Sequence, residues 1–477
     1  MKTGKSKKEI TGESSSSMDA SLVPVASKAV TTAEKMGAAQ VEAYALRRVI
    51  STCSIEKLEV TFAQRKVQAG VGIRVALEKR IGFSCTSSLS DGPIKETIEK
   101  ALKVARAKED DPRFDSFPSK SHYQEVPGIF DRQVKESPIE DLISRGRSLA
   151  ETMRESDKRI KSGSGTLAYI AYNRGIANSS GVDLEETDTV VDCRVSSMAK
   201  DDGDVSGVDY LELGRNAGDV DVERVGATVS KLTVDQLARK PIETKNMDLV
   251  LHSYAIGELF SHTLHPAFMG DNLSRKRTPF AGKLGEKLVS ELISIDDNGI
   301  ITNGLASQSF DDEGNPRRNT NLIEKGVVKS FVYDSLWANQ AKEQSTGNSC
   351  RKEGTGLRTY GSEPVIETTN IVVNRGDRSF DELVSEVDDG VLAYMVLGAH
   401  TSNPASGAFS IAGQTVFRIE HGEITYPVKE AMMGGNLIQL LSHVTGVAND
   451  VRTYEDELRH RVTIAPSLRF SDLKISA

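Results

Sequence analysis

The 477-residue chain is poor in cysteine, tryptophan and aromatic residues generally: four Cys, one Trp and 5% Phe, Trp and Tyr together. Cys53, Cys85, Cys193 and Cys350 stand far apart, without a CxxC pair or zinc-finger spacing. In a chain this long they read as small buried apolar residues in a reducing cytoplasm. No stretch reaches the roughly 18–20 apolar residues of a membrane-spanning helix. The N-terminus has lysines but no apolar run behind them, so no secretory signal is expected. Net positive charge is also lacking. The formal charge is −8, and Lys and Arg are spread along the chain, so no nucleic-acid-binding face is expected. Two nucleotide and hydrolase signatures are missing. Gly282–Lys283 runs into Leu284 with no upstream phosphate-loop glycine, and no G-x-S-x-G elbow occurs.

What is present suits a large α+β protein. The length exceeds one compact core, so two domains are expected. Residues 1–20 are polar, rich in Ser and Lys, and read as a flexible tail. Residues 21–240 read as an N-terminal α+β domain. A helix over 21–37 is followed by alternating runs at 41–49, 55–63, 70–77 and 81–88, then a helix over 93–107. A second amphipathic helix over 136–160 opens at Ser137–Pro138, and strands at 166–173 and 182–200 flank a turn at 178–181. A further helix is expected over 220–238. From residue 241 to 477 glycine turns multiply between short strand-like runs, giving a β-rich antiparallel C-terminal domain. Its helices are expected over 253–265, 379–387 and 437–443.

Four constellations could carry chemistry. Glu258, His262 and His265 lie at i, i+4 and i+7, so one helix could present a carboxylate and two imidazoles to a metal. Pro266 disfavours helical geometry at His265, and the bland reading is two histidines at a helix C-terminus. Asp202, Asp204, Ser206 and Gly207 begin like a calcium loop, but its twelfth position is Leu213, so a surface turn is expected. Residues 311–318, DDEGNPRR, read as a polar cleft element or as a hairpin turn with charges paired across it. The loop 398–407 follows an apolar run. Its His400, Thr401, Ser402, Asn403 and Ser406 could hydrogen-bond a peptide in a cleft, or cap the loop's own turn.

Ordered together, several stretches resemble the TldD/PmbA family. They are Gly270–Asp271–Asn272–Leu273–Ser274–Arg275–Lys276 with Gly282–Lys283–Leu284–Gly285–Glu286, and Phe310–Asp311–Asp312–Glu313–Gly314 with Ile323–Glu324–Lys325–Gly326–Val327. Ser345–Thr346–Gly347–Asn348, the 400–407 loop, Glu420–His421–Gly422–Glu423–Ile424, Pro427–Val428–Lys429–Glu430 and Gly435–Asn436–Leu437 continue the series. The resemblance runs from about residue 20 to the end.

This resemblance implies cytoplasmic proteins that act in proteolysis of peptides and unfolded proteins, with a proposed link to DNA gyrase modulation. It implies a TldD-type metalloprotease subunit with a HExxxH zinc motif and a later cysteine ligand. A PmbA/TldE-type subunit without those ligands pairs with it. In this chain the motif positions fall on Ser261, His262 and Pro266, and residues 453–457 near the later position contain no Cys. The chain therefore resembles the PmbA/TldE-like branch. The expectation is no catalytic residue and no cofactor here, with zinc in a TldD-like partner subunit. Two alternatives stay open: a self-sufficient zinc peptidase using Glu258, His262 and His265, and a non-catalytic homodimer that binds peptides or regulates.

Overall fold

The computed structural model describes residues 20–353, 356–456 and 459–477. All but the last residue of the expected polar tail lies outside them.

The N-terminal half is built on four strands of 17–19 residues: β1 (Gln40–Glu56), β2 (Glu59–Leu77), β4 (Ile160–Asn178) and β5 (Asp183–Asp201). The shorter β3 (Arg80–Thr86) and β6 (Asp204–Gly214) complete one antiparallel sheet, ordered β3-β2-β1-β4-β5-β6. Helices α1 (Val23–Lys35) and α2 (Asp91–Ala107) bury alanine-rich stripes against β1 and β2. A single turn, α3 (Arg132–Glu136), precedes α4 (Ile139–Ser156), which packs with α5 (Val222–Asp235) over the other end of the sheet.

The expected run 55–63 is interrupted by a hairpin. Lys57 and Leu58 both take left-handed φ, 52° and 63°, and reverse the chain between β1 and β2. Hairpin turns of this hand normally advertise themselves through Asn or Gly, and neither residue is here. The turn at residues 78–80 does fall where expected, with Glu78 at φ 57°. Pro138 caps α4 from outside it instead of entering its first turn.

The C-terminal half is rich in strand. β7 (Lys245–Leu251) leads into α6 (Ser253–His262), followed by the single turns α7 (Leu264–Ala267) and α8 (Gly270–Ser274). One mixed sheet uses β8 (Ile295–Asn298), β9 (Asn319–Glu324), β10 (Val327–Val328), β13 (Asn370–Val373), β19 (Arg452–Glu455) and β20 (Val462–Ala465). Between its strands, β11 (Ser349–Cys350) and β12 (Val365–Ile366) form a short ribbon. The other sheet comprises β7, β14 (Asp389–Leu397), β15 (Ala408–Glu420), β16 (Glu423–Pro427), β17 (Met432–Asn436), β18 (Val444–Val447) and β21 (Leu468–Ser476). Because β14 pairs with both β7 and β15, the path β14-β7-β21-β17-β15 closes on itself. The apolar face of α6, Ala255, Ile256, Leu259 and Phe260, is fully buried in the core inside these sheets. The protein is α+β with a β-rich C-terminal region.

The halves meet through buried charge. Residues 311–318 form the centre of this seam, not a surface hairpin with charges paired across it. Arg174 of β4 donates to Asp312 at 2.8 Å, and Arg74 of β2 reaches both Glu42 of β1 and Glu313. Arg351 donates its backbone N–H to Asp312 at 2.7 Å and its guanidinium to Glu42. Arg317 and Arg318 instead donate to the carbonyls of Gly347 and Gln344. The acids were expected to pair locally, but their partners come from strands far away in sequence. The suspected calcium-loop start is the β5–β6 turn, with Asp202 and Gly203 at φ 42° and 86°.

Candidate functional site

Helix α6 positions the site. His252 caps it by accepting from Tyr254 N–H through Nδ1. Its inner stripe faces the core, while Tyr254, Glu258 and His262, at i, i+4 and i+8, line a cavity of about 610 Å³. The opposite wall is the sheet: Ser164, Gly165 and Thr166 of β4, Arg194, Val195 and Ser196 of β5, and Asp209, Tyr210 and Leu211 of β6. Met395, Val396 and Leu397 of β14, Gln414 of β15, Tyr454 and Asp456 close the remaining sides. The cavity therefore lies between the two halves of the chain.

Its polar groups are tied to one another. The Tyr454 hydroxyl donates to Glu258 at 2.6 Å, and Tyr254 donates to the Leu211 carbonyl at 3.1 Å. His262 Nε2 stands 3.8 Å from Glu258 Oε1 and 4.0 Å from Asp456 Oδ1. Burial lowers the His262 pKa below the ordinary imidazole value, with Arg461, His400 and Arg459 adding repulsion against the pull of Asp456. Arg194 sits between Asp192 and Glu455, at 3.0 Å from each.

Of the three suspected metal ligands, the structure brings two together. Glu258 and His262 face the cavity, and His265 does not. α6 ends at His262, Thr263 separates it from the next turn, and His265 lies within that turn, α7, which starts at Leu264. The His265 ring is fully buried, with Nδ1 2.6 Å from the Thr368 hydroxyl and Nε2 3.0 Å from that of Thr463. Both ring nitrogens are thus spent on hydroxyls, and the i, i+4, i+7 trio does not converge. Among the described residues no group of three His, Cys, Asp or Glu side chains is arranged to hold a metal. Cys350, far from this helix in sequence, lines a different and smaller pocket with Arg358 and His460.

Ser261 and Pro266, two of the positions where the resemblance implies HExxxH residues, offer zinc no free side-chain ligand. Ser261 is fully buried, and its hydroxyl donates to the Gly257 carbonyl at 2.8 Å. Pro266 offers no side-chain ligand. The Arg461 guanidinium donates to the Ser261 carbonyl at 2.7 Å and to Glu367 at 3.0 Å, fixing a positive charge beside the motif helix. A cation held there opposes a second one. Arg461 was not singled out from sequence, since only the fold brings it 200 residues back to α6.

The 398–407 loop is mostly a self-capped turn. Asn403 Oδ1 accepts from the N–H groups of Ala405 and Ser406, and Thr401 donates to the Gly398 carbonyl at 2.8 Å. Ser406 accepts from Ala408 N–H, and its carbonyl accepts from Asn436. The Ser402 hydroxyl is buried and makes no hydrogen bond. His400 approaches the cavity side of α6, its ring centroid 6.3 Å from that of His262. Tyr254, Tyr454 and Asp456 are cavity residues that sequence reading missed; aromatic and acidic side chains at scattered positions leave no spacing to find.

Fold and site together define an α+β protein with a cleft between its two halves, walled on one side by helix α6. The chain belongs to the PmbA/TldD family: PmbA/TldA metallopeptidase domain models match residues 41–107 (domain 1), 132–237 (central domain) and 244–477 (C-terminal domain). It is 29% identical over 407 residues to an uncharacterized protein of Methanocaldococcus jannaschii, covering 85% of this chain and 89% of that one. It is 25% identical over 402 residues to the metalloprotease PmbA of Escherichia coli O157:H7, covering 83% and 84%. Among solved structures, TldE from Thermococcus kodakarensis superposes with a TM-score of 0.87 at 28% identity, over 95% of this chain and all of that one.

Proposed function

We propose that this chain is the PmbA/TldE-type subunit of a cytoplasmic, two-chain metalloprotease that acts on peptides or unfolded proteins. It supplies cleft walls and binding surface, and a TldD-like partner supplies the zinc and the HExxxH chemistry. The observation that carries this reading is the Arg461 guanidinium bound to the carbonyl of Ser261, where the first motif histidine would stand. With Ser261 and Pro266 at the ligand positions, no zinc-bound water can be generated here by the usual route. The likeness to TldE supports the choice of branch. The cavity supports peptide handling, because strands of both halves and polar groups line it from several sides.

The test is reconstitution. This chain is mixed with an HExxxH-bearing family member from the same genome, and hydrolysis of an unfolded protein is followed. Activity that needs both chains and is lost to a chelator is expected. Chelator-sensitive hydrolysis by this chain alone would overturn the proposal. A stable self-dimer that binds peptides and gains nothing from the partner would replace it with the regulatory reading.

A further inference from the structure

The cavity has a pronounced charge and ring character. Among the described residues, Asp209, Glu258 and Asp456 line it, against one cation, Arg194. That arginine is already flanked by Asp192 and Glu455 at 3.0 Å. Arg461 is held by Glu367 at 3.0 Å, and Arg459 donates its backbone N–H to Asp456 at 2.8 Å. Counting these neighbours, carboxylates still outnumber guanidiniums. Tyr210, Tyr254 and Tyr454 supply aromatic wall, with ring centroids 5.3 Å apart for Tyr210 and Tyr254 and 6.3 Å apart for Tyr254 and Tyr454.

At the back, His262 Nε2 lies 3.8 Å from Glu258 and 4.0 Å from Asp456. Both gaps are too long for direct hydrogen bonds and wide enough for one small donor to bridge. Burial favours the neutral imidazole, which offers an acceptor nitrogen. An ammonium carries three donors and no acceptor, and aromatic faces attract it as well. A carboxylate placed here would meet three of its own kind.

We infer that this cavity recognises an ammonium group of the bound peptide, a lysine side chain or a free N-terminus, seated among Glu258, Asp456 and His262 with the tyrosines around it. The inference rests on the peptide-handling reading and adds a preference to it.

The test is binding of short alanine peptides to the full chain, by calorimetry. One pair is blocked at both ends and carries a central lysine or its Nε-acetyl form. The other has no lysine and carries a free or an acetylated N-terminus. At least one amine peptide should bind about tenfold tighter than its acetylated twin, the scale of a charge-assisted hydrogen-bond set. Which pair shows the difference identifies the source of the ammonium. The preference should fall toward unity in Glu258→Gln and shrink in Asp209→Asn, a rim change with little reach into the fold. Equal binding of both members in both pairs overturns the inference and leaves the peptide-handling reading standing. A preference that survives in both variants also overturns it. If no peptide of either kind binds, with or without the partner chain, the broader reading fails and this one with it.

Discussion

At the scale of residues, the buried carboxylates carry most of the physical tension. Asp311 is pushed up to about 7 by burial and by Glu313 beside it, and Asp334 to about 7 by burial, Glu313 and Asp311. Asp188 is also fully buried, yet Arg358 and Arg215 outweigh that burial and hold it down at about 2. The signs are opposite. Asp311 and Asp334 keep their protons in the folded chain at pH values where the unfolded chain has released them. Their contribution is complete below the ordinary Asp range and is lost as pH rises toward 7. Asp188 contributes above that range and loses its share as pH falls toward 2. Asp334→Asn keeps the side-chain oxygen that accepts from Trp337 N–H at 2.8 Å while removing a charge near Glu313. It should stabilise the chain at about pH 8 by on the order of 1 kcal/mol and flatten the decline in melting temperature between about pH 5 and 8. Thermal melts across that range check it; an unchanged slope would exclude Asp334 as a source. The acids of residues 311–313 were conspicuous in sequence. Their partners were not, because Arg74, Arg174 and Arg351 join them only through sheet pairing and loop return.

At the scale of elements, α6 ties core to cavity. Its start at Ser253 falls where the sequence places it, but the helix expected to run to His265 ends at His262, short of the position that proline sterics alone disfavours. Which side of it faces a cavity is not legible, since spacing alone groups Glu258 and His262 with a His265 that belongs to the next turn. Nothing in the sequence marks the close approach at Gly257. A Cβ there would meet the Tyr454 ring at 2.4 Å. Gly257→Ala should therefore push Tyr454 off Glu258 and cost about 1–3 kcal/mol, the usual range for overpacking. Denaturant unfolding measures the cost. A neutral result would mean that Tyr454 moves freely. The long strands β1 and β2 show the complementary failure. Their alternation was visible, but the turn at Lys57–Leu58 was hidden by residue types that seldom adopt left-handed φ.

At the scale of the whole molecule, the seam of buried ions binds the halves. Glu42 receives both Arg74 and Arg351, and all three side chains are almost wholly buried. Glu42→Ala leaves two guanidiniums without that partner and should cost about 3–5 kcal/mol. Because the seam joins β1 and β2 to the 311–313 and 351 segments, both halves should be destabilised together. Separate melting of one half, with the other untouched, would contradict this. The α+β class and the β-rich C-terminal region followed from period and glycine distribution. The cavity between the halves could not be read that way, as its walls come from segments as distant as Ser164 and Asp456.

Which chain carries the metal decides between a partner subunit and a self-sufficient peptidase. The direct measurement is zinc content by elemental analysis, on this chain alone and on its purified complex with an HExxxH-bearing partner. About one zinc per two-chain complex and none held by this chain alone is the expected result, because one catalytic ligand set, with a position left open for water, serves the pair. Stoichiometric zinc on the isolated chain, lost on replacing His262 with alanine, would contradict it.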